Sequence, residues 1–579
     1  MVRRNRIEWA LLVVLAGVAL AAYSWRLNSN GWANAYYSVV AWSGGQSWRS
    51  MFFGSLEPFD VVSTDKPPLS FWLPALSVRV FGLHPWSLVL PQALLTVAAV
   101  VLLARIVRRA AGRLAGLVAA GAYAATPVVA ALARANEPEP LLVVFTLLTG
   151  YAVVRVAQGG GRRWLVLAGL GLGCAFLTKW AMGWLVAPGV LWALWPVLRG
   201  RRLRAGGLLV VMTLVSGLWW VAVLAVLGPE RRPFPDSPHG SLLDLVVGQN
   251  GVSRLAGAGG GAISGTPGPL RLLIPPFADQ IGWFLPAALV LLGWLGWRRH
   301  GSVVERAAVR LFGGWMLTLV VLFSAMGGAM HPYYTAYLAP AIAAVLGIGL
   351  AAAWRDGYRI LLAVVLAGSA GYCGWVTYAV GLSAWTTAVA LAAGTSGAVI
   401  VALAPRRWVG AGCALVAAGL LTGPVVTCAG TLSHPMVGAN PRAGWHNHAR
   451  SDPYPVALTD FLAARQGGAD WVAAAPQGTP AAVLSLQMQR PVLPLGGFTG
   501  TGAEPTPAQL ETFMAARRLR YVVLIGRYTH HRDDTPRSLR GTPLAATVDW
   551  ARTTGCPVTV AGVRVIDLWD RACHLSTGQ

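Results

Sequence analysis

Long apolar runs separated by short polar connections fill residues 1–430 of the chain. A helix needs roughly 17 to 25 apolar residues to cross a hydrocarbon core of about 30 Å, and runs of this length recur along this region. We therefore predict a polytopic α-helical membrane protein with about thirteen spans. The predicted spans are 8–25, 86–104, 114–132, 139–156, 163–179, 181–198, 206–227, 281–297, 311–326, 334–353, 359–380, 384–403 and 408–428.

Arginines in the short connections predict how the chain crosses the membrane. Cytoplasmic connections carry an excess of positive residues, and alternate connections are basic if the N-terminus is cytoplasmic. This orientation places three long segments outside: 26–85, 228–280 and everything after about residue 430. The first apolar run is long and no clear small-residue cleavage site follows it, so we expect a retained helix rather than a signal peptide. The basic connections contain Arg105, Arg108, Arg109 and Arg113; Arg155, Arg162 and Arg163; Arg199, Arg201, Arg202 and Arg204; Arg298 and Arg299; Arg355 and Arg359; Arg406 and Arg407.

The composition supports a membrane protein. Hydrophobic residues make up 55 % of the chain and charged residues 12 %, which is far from the usage of soluble globular proteins. Most of the formal net charge of +24 lies in the short inner connections, where arginine orients the chain and meets anionic lipid. Nucleic-acid binding is therefore not expected.

After about residue 440 the pattern becomes that of a soluble α/β unit. Helix patterns ("PVALTDFLAARQ", "AAVLSLQMQ", "TPAQLETFMAARR") alternate with strand patterns ("DWVAAAP", "PVLPLGG", "RYVVLIG"). We predict a transmembrane domain over 1–430 and a small extracytoplasmic α/β domain over 431–579. The first outer segment, 26–85, should contain interfacial helices at 33–48 and 67–82, and the glycine-rich segment 228–280 should form a mobile loop.

Other residues of the C-terminal part have simpler interpretations. Cys556 and Cys573 lie in a compartment that permits a disulfide. His446, His448 and the stretch "RYTHHRDD" are interpreted as loop residues, because no cysteine or carboxylate partners with metal-ligand spacing accompany them.

Acidic residues and lysines gather on one side of the predicted membrane. Only two of the 46 basic side chains are lysines, and both fall on the outer side, where a compact ammonium suits a phosphate ligand. Carboxylates beside them suit general-base or metal-ligand chemistry. The alternative is that charges at span ends are only solvated or snorkel to the interface. The residues concerned are Glu57, Asp65, Lys66, Glu137, Glu139 and Lys179.

Several stretches, taken in order, carry a family resemblance. They are "NAYYSVVAWSGGQSW", "DKPPLSFWLPALSVRVFG", "EPLL", "FLTKW" and "MHPYYTAYLAPAIAA". Together they resemble the C-superfamily membrane glycosyltransferases, in the group of protein O-mannosyltransferases and lipid A aminoarabinose transferases. "GQNGVSRL" and "LPLGGFTG" are similar to bacterial members with a C-terminal extracytoplasmic domain. The resemblance implies transfer of a sugar from a polyprenyl-phosphate donor to a glycan, lipid or protein acceptor at the outer leaflet of the cell membrane.

The resemblance also implies roles for individual residues. Lys66 would contact the donor phosphate beside Asp65, and Lys179 would contribute to the same phosphate site. Glu139 matches the acidic position of the second outer turn, with Glu137 as the alternative. The donor and acceptor pocket would further include Tyr36, Tyr37, His331, Tyr333 and Tyr334, and the flexible loop would contribute Asn250 and Arg254.

One position departs from the family pattern. Many relatives carry an Asp-Glu pair ahead of the paired aromatic residues, whereas this chain has Ala33-Asn34. Asn34 can form hydrogen bonds but cannot accept a proton at neutral pH. The base is therefore assigned to Glu57, Asp65 or Glu139. A divalent metal ion stays open as a cofactor, and no nucleotide-binding motif is present.

Two further functions remain as alternatives. A flippase or transporter of lipid-linked saccharides would place charged groups near the membrane midplane and is often built from repeats, and no convincing internal repeat is visible here. A non-catalytic membrane scaffold that displays the C-terminal domain is the other alternative, because the Asp-Glu pair is missing.

Overall fold

The apolar runs of the sequence fold into a helical membrane domain, which a small mixed α/β domain follows. The computed structural model describes residues 2–227, 241, 244–252, 264–298, 300–445, 453–498, 500, 502, 504–526, 536 and 539–570. The helices of the membrane domain are α1 Val2–Tyr23, α2 Ala35–Gln46, α3 Trp48–Phe53, α4 Leu69–Phe81, α5 Pro85–Ala111, α6 Arg113–Ala124, α7 Pro127–Leu132, α8 Glu139–Ala157, α9 Arg162–Lys179, α10 Ala187–Val197, α11 Arg202–Leu227, α12 Leu285–Trp297, α13 Val303–Ala325, α14 Ala339–Arg355, α15 Arg359–Ala379, α16 Ala384–Leu403 and α17 Val409–Ser433.

The predicted fold class, a multi-pass helical membrane protein, is confirmed. Among the described residues, nine helical segments are long and apolar enough to cross a membrane. The other four predicted spans correspond to shorter apolar segments: Ile7–Tyr23 of α1, the pair α6 and α7, α10, and Gly282–Trp297. The predicted span 114–132 is split because Pro127 cannot donate a backbone hydrogen bond and begins a new helix. The total of thirteen spans stays a prediction.

Close helix contacts in the membrane domain depend on glycine. A Cβ on Gly189 of α10 would lie 2.3 Å from the Leu311 carbonyl oxygen, and one on Gly314 of α13 would lie 2.5 Å from the Gly189 Cα. Small residues at such a crossing let two backbones approach, which is how helices associate without a hydrophobic driving force in lipid.

The first long segment between spans contains the two predicted helices, and one of them is more buried than expected. Helix α4 begins directly after Pro67 and Pro68, as predicted from prolines at a helix start. Helix α2 was predicted to lie at the interface, yet its residues 35–44 are all buried. It is covered because α2 packs against α4 on one side and against a helix of the C-terminal domain on another.

The C-terminal domain is one five-stranded sheet with flanking helices. Its helices are α18 Val456–Arg465, α19 Gly478–Met488, α20 Pro507–Ala515 and α21 Pro543–Thr554, and its strands are β1 Ala473–Pro476, β2 Val492–Leu495, β3 Tyr521–Leu524, β4 Cys556–Val560 and β5 Val563–Asp567. The strand order is β2-β1-β3-β5-β4. The first three strands are parallel, and β5 and β4 add to them in antiparallel orientation.

The predicted helices and strands of this domain are present. Thr506 caps α20 as predicted: its Oγ1 accepts from the Gln509 N–H at 3.3 Å, and the Gln509 Oε1 accepts from the Thr506 N–H at 2.8 Å. The domain boundary at residue 430 stays a prediction. Cys556 is disulfide-bonded, and Cys573, its predicted partner, lies outside the described residues.

Two ends of the membrane domain differ in their charged residues. The end at which α8 begins and α9 ends carries Glu139 and Lys179 and is called the lysine side below. The opposite end, called the arginine side, carries the basic connections. There the buried Glu8 pairs with Arg108 at 3.0 Å and with Arg113 at 3.1 Å, in agreement with the rule that buried charges are paired.

Candidate active site

Lys66 lies just before α4, where the chain turns from the segment 54–64 towards the helix. Its ammonium is buried and donates to the carboxylate of Asp65 and, at 3.2 Å, to Oδ1 of Asn250. The indole of Trp180 donates to the Asp65 carbonyl oxygen at 3.0 Å. This bond fixes the Asp65-Lys66 turn against the end of α9.

Lys179 is the last residue of α9, and its ammonium is paired with a carboxylate. The helix ends there because Trp180 has a left-handed φ of 49° and starts a 3-10 turn. Glu139, the first residue of α8, accepts from the Lys179 ammonium, and both side chains are buried. The same ammonium lies 5.3 Å from the ring centre of Tyr333 and 4.6 Å from that of Tyr334. A cation over two aromatic faces and beside a carboxylate is held in one position.

The two lysines line one cavity of about 160 Å³ on the lysine side. Asn250 and Tyr334 are its other polar residues. The rest of its wall is apolar or backbone and is formed by Ala181, Met182, Leu185, Gly251, Leu322, Phe323 and Met326. The cavity therefore offers two ammonium groups, each paired with a carboxylate, to a ligand whose remaining surface is apolar.

Asn34 is directly hydrogen-bonded to an acidic residue of the turn between α7 and α8. Its Nδ2 donates to Oε1 of Glu137 at 2.8 Å, and both side chains are buried. Within the described part of the chain, neither Oε2 of Glu137 nor Oδ1 of Asn34 has a hydrogen-bond partner. Two acceptors are therefore left at this point for a proton-donating group.

The electrostatic surroundings of Glu137 make it a stronger base than an exposed glutamate. Burial, and after it the charge of Glu139, raises the pKa of the Glu137 carboxyl well above its ordinary value. The hydrogen bond from Asn34 and the charges of Lys179 and Lys66 act in the opposite direction. The lysines are thus near enough to influence this carboxyl.

Tyr36 and Tyr37 of α2 have different surroundings. The ring of Tyr37 lies 5.2 Å from that of Phe71, and the charges of Asp65 and Glu137 act on its hydroxyl. Tyr36 instead packs against the C-terminal domain, with its ring 5.0 Å from that of Phe498. Tyr37 therefore belongs to the cluster around the acidic turn, and Tyr36 belongs to the contact between the domains.

Glu57 is bound by its own turn and by the C-terminal domain. Its carboxylate accepts from the backbone N–H groups of residues 59, 61 and 62 at 2.8, 2.5 and 3.2 Å, and from the indole of Trp471 at 3.2 Å. Both oxygens are occupied by these donors. The contacts favour a structural function for Glu57, although its predicted role as a base stays a prediction.

The element "HPYY" forms an aromatic group beside Lys179. The ring of His331 stacks on that of Tyr333 at 5.5 Å and meets that of Tyr334 at 5.2 Å. Asn250 lies on a π-helical segment, Asp244–Val252, and donates to the Leu245 carbonyl oxygen at 2.9 Å. Arg254, His446, His448 and the stretch 527–534 lie outside the described residues.

Some residues of the site have no signal in the sequence. The apolar lining, such as Met182, Leu185 and Phe323, looks like any other part of a span. Trp180 follows the predicted lysine directly, but its indole bond to Asp65 depends on a left-handed backbone that the sequence does not predict.

A metal site is not apparent in the described part of the chain. There, no three His, Cys, Asp or Glu side chains come together in a way that could hold a metal ion. Asp65 and Glu139 are each paired with a lysine instead. A divalent metal ion as cofactor stays a prediction.

Comparison with known proteins supports the resemblance seen in the motifs. Residues 65–221 match the family model described as "Dolichyl-phosphate-mannose-protein mannosyltransferase", and residues 458–540 match "Putative mannosyltransferase YkcB-like, C-terminal". The chain is 28 % identical over 450 residues to "Putative mannosyltransferase YycA" of Bacillus subtilis (strain 168), covering 62 % of this chain and 65 % of that protein. It is 27 % identical over 369 residues to "Undecaprenyl phosphate-alpha-4-amino-4-deoxy-L-arabinose arabinosyl transferase 2" of Pseudomonas fluorescens (strain Pf0-1), covering 59 % and 60 %. The matches thus span less than two thirds of these relatives.

Solved structures show a similar fold. ArnT from Cupriavidus metallidurans in the apo state aligns with a TM-score of 0.57 and 17 % identity, over 97 % of this chain and 98 % of that one. The same protein bound to undecaprenyl phosphate aligns with a TM-score of 0.54 and 17 % identity, over 96 % and 97 %. The chain therefore has the same fold as ArnT. Together with the matching family models and relatives, this confirms the resemblance predicted from the motifs.

Proposed function

We propose that the chain is a glycosyltransferase that moves a sugar from a polyprenyl-phosphate donor to an acceptor hydroxyl. The observation that carries this proposal is the cavity lined by both lysines of the chain and otherwise mainly by apolar side chains. A phosphate with an isoprenoid tail combines a charge that two ammonium groups attract with a surface that apolar side chains bury. The relatives support this donor class, because the names of several contain a polyprenyl-phosphate sugar or a mannosyltransferase.

The two lysines are held so that they still have donors for a phosphate. An ammonium has three N–H donors. Those of Lys66 reach Asp65 and Asn250, and those of Lys179 reach Glu139. The paired carboxylates fix the lysine side chains. Within the described part of the chain, the remaining N–H groups are available for the oxygens of the donor phosphate. Charge stabilisation of the departing phosphate by such prearranged donors is typically the largest contribution to catalysis.

We assign the base to Glu137. Among the candidate carboxylates, Asp65 and Glu139 are paired with lysines and Glu57 is bound by four N–H groups. Glu137 has one buried oxygen without a partner in the described structure, which leaves room for a proton. Burial raises its pKa, which makes the carboxylate a stronger base. Asn34 holds the other oxygen and orients the carboxylate.

The reaction then couples transfer of the sugar to transfer of one proton. The acceptor oxygen forms a bond to the anomeric carbon, and its proton passes to Oε2 of Glu137. The bond between the anomeric carbon and the phosphate oxygen breaks, and its electron pair leaves with the polyprenyl phosphate. Lys66 and Lys179 stabilise the added negative charge on that phosphate.

We place the reaction at the outer leaflet of the cell membrane. The arginine-rich connections are at the end of the bundle opposite to the lysines, and the positive-inside rule assigns that end to the cytoplasm. The C-terminal domain contacts α2 through α19, so it is on the lysine side and would be extracytoplasmic. The acceptor is a glycan, lipid or protein of the cell envelope that reaches this side.

Transfer of radiolabelled sugar tests the proposal. The purified full chain in nanodiscs is given polyprenyl-phosphate mannose and polyprenyl-phosphate aminoarabinose, together with envelope extract as acceptor. Lys66→Ala and Glu137→Gln should each lower the rate by about 100-fold or more. Arg49→Ala, which removes an exposed cation from the same side, should keep the normal rate.

Two results would overturn the proposal. An unchanged rate in the Lys66→Ala variant would refute the assignment of Lys66 to the donor phosphate. Movement of the intact donor across the bilayer without any transfer would favour the transporter alternative.

A further inference from the structure

A second positively charged cavity lies at the arginine side. It has a volume of about 360 Å³ and is lined by Trp9, Arg105, Arg108 and Arg109; we call it the arginine pocket. Trp9 belongs to α1, and the arginines belong to the C-terminal end of α5. Twenty residues of helix separate Arg105 from Pro85 at the other end of α5, which corresponds to about 30 Å, the thickness of the hydrocarbon core. The pocket is thus remote from the lysine cavity.

The charges of the arginine pocket are only partly balanced. Glu8 pairs with Arg108 at 3.0 Å and also with Arg113 at 3.1 Å. Arg105 and Arg109 are exposed, and within the described structure their recorded contacts are with aromatic rings: Arg105 lies 5.3 Å from Trp9 and Arg109 lies 5.3 Å from Tyr151. One carboxylate therefore faces several guanidinium groups.

Like charges on one helix face repel each other. Arg105, Arg108 and Arg109 are spaced i, i+3 and i+4, so they share a face of α5, and this spacing is destabilising for like charges. Two arginines in the last turn would be enough to complement the helix dipole, and Arg105 lies a turn before them. A bound anion would remove the repulsion and use all three guanidinium groups.

The neighbouring surface indicates what carries the anion. The outward face of α1 exposes apolar side chains: Ile7 is 56 % exposed, Leu11 52 % and Val14 62 %. Trp9, at the rim of the pocket, is 38 % exposed, and tryptophan favours the membrane interface, where one part of the ring is apolar and the other wet. An apolar strip that starts at a basic pocket matches a phospholipid, with its acyl chain on α1 and its headgroup among the arginines.

We propose that the arginine pocket binds the phosphate headgroup of an anionic phospholipid. The headgroup bridges α1 and α5, and it is distinct from the lipid-linked donor on the lysine side.

The test measures the lipid that stays bound to the full-length protein. Protein purified in a non-ionic detergent is exchanged into nanodiscs that contain phosphatidylglycerol and phosphatidylcholine in equal amounts, and retained lipids are counted by native mass spectrometry. Arg105→Gln with Arg109→Gln removes two charges from the pocket. Arg199→Gln with Arg201→Gln removes two charges from exposed arginines of another basic connection and is the matched control.

Wild type and control should retain phosphatidylglycerol selectively. The pocket variant should lose about 30-fold in selectivity, which corresponds to the attraction of two arginines for an anionic headgroup. If the double variant is not monodisperse in gel filtration, Arg105→Gln alone should still lose about 5-fold.

Equal retention in all proteins would overturn the proposal. A thermal shift of the wild type by inorganic phosphate, absent in the pocket variant and without selective lipid retention, would also overturn it and assign the pocket to a soluble phosphate.

Discussion

The buried ion pair between Glu139 and Lys179 allows a test that separates stability from catalysis. Both side chains are buried, at 1 % and 7 % exposure. Glu139 has a second oxygen that lacks a partner within the described residues, whereas Lys179 also lies over the rings of Tyr333 and Tyr334. The two single substitutions, Lys179→Met and Glu139→Gln, should therefore differ in cost.

The magnitudes follow from which charge is left unpaired. Lys179→Met leaves a buried carboxylate with no cation beside it, which costs about 3 to 5 kcal/mol of unfolding free energy. Glu139→Gln leaves a cation that two rings still hold, and this should cost about 1 to 2 kcal/mol less. The double variant has no unpaired charge and should be close to the stability of the wild type, because a buried pair contributes little over neutral residues of similar size.

The assay combines equilibrium unfolding in mixed micelles with transfer of radiolabelled sugar. The half-exposed pair of Arg518 and Asp470 in the C-terminal domain supplies a control cycle, for which the coupling should stay below about 1 kcal/mol. The double variant at positions 139 and 179 should recover stability but not turnover, because Lys179 is proposed to hold the donor phosphate.

Two outcomes would refute this reasoning. A double variant whose loss of stability equals the sum of the two single losses would show that the two charges are not coupled in the folded protein. Wild-type turnover in Lys179→Met would show that this lysine does not act on the donor.

Two further predictions concern the base and the contact between the domains. Glu137 must be ionised to accept a proton, and its pKa is raised. The transfer rate should therefore rise with pH, with a midpoint above the ordinary glutamate pKa of about 4.3. Glu137→Gln should abolish that rise, and a rise that persists in the variant would exclude Glu137 as the base. In Gly478→Ala the new Cβ would lie 2.5 Å from the buried ring of Tyr36. The contact between the C-terminal domain and α2 should therefore lose about 1 to 3 kcal/mol of free energy, and hydrogen exchange in α2 should increase. Gly368→Ala, which has open space around its Cβ, is the control, and equal exchange in both variants would contradict the close contact.

The elements that depend on local patterns could be predicted from the sequence. Apolar run lengths predicted the nine described segments that are long enough to span a membrane. The paired prolines predicted the start of α4, and Thr506 predicted the start of α20. The proximity of Lys66 and Lys179 could also be predicted, because the arginine pattern assigns both lysines to the same side of the membrane. These signals are local or follow from topology alone.

Contacts that depend on packing between distant segments could not be predicted. In the sequence, Glu57 is one of several acidic residues near the lysines. In the structure, the indole of Trp471 in the C-terminal domain donates a hydrogen bond to its carboxylate. Tyr36 and Tyr37 are consecutive, and a helix turns consecutive side chains by about 100°, so the sequence alone does not decide which of them faces the site. The pairing of β3 with β5 is likewise set by tertiary packing.

The amide at position 34 has a physical consequence for the acid beside it. Two carboxylates at hydrogen-bond distance cannot both be ionised, so one of them keeps a proton. Here the position opposite Glu137 is an amide that donates at 2.8 Å, so Glu137 can lose its proton without a like charge in direct contact. The amide at this position therefore does not leave the proposed site without a base. Glu137 remains, oriented by Asn34 and with a pKa that burial raises, to take the proton of the acceptor.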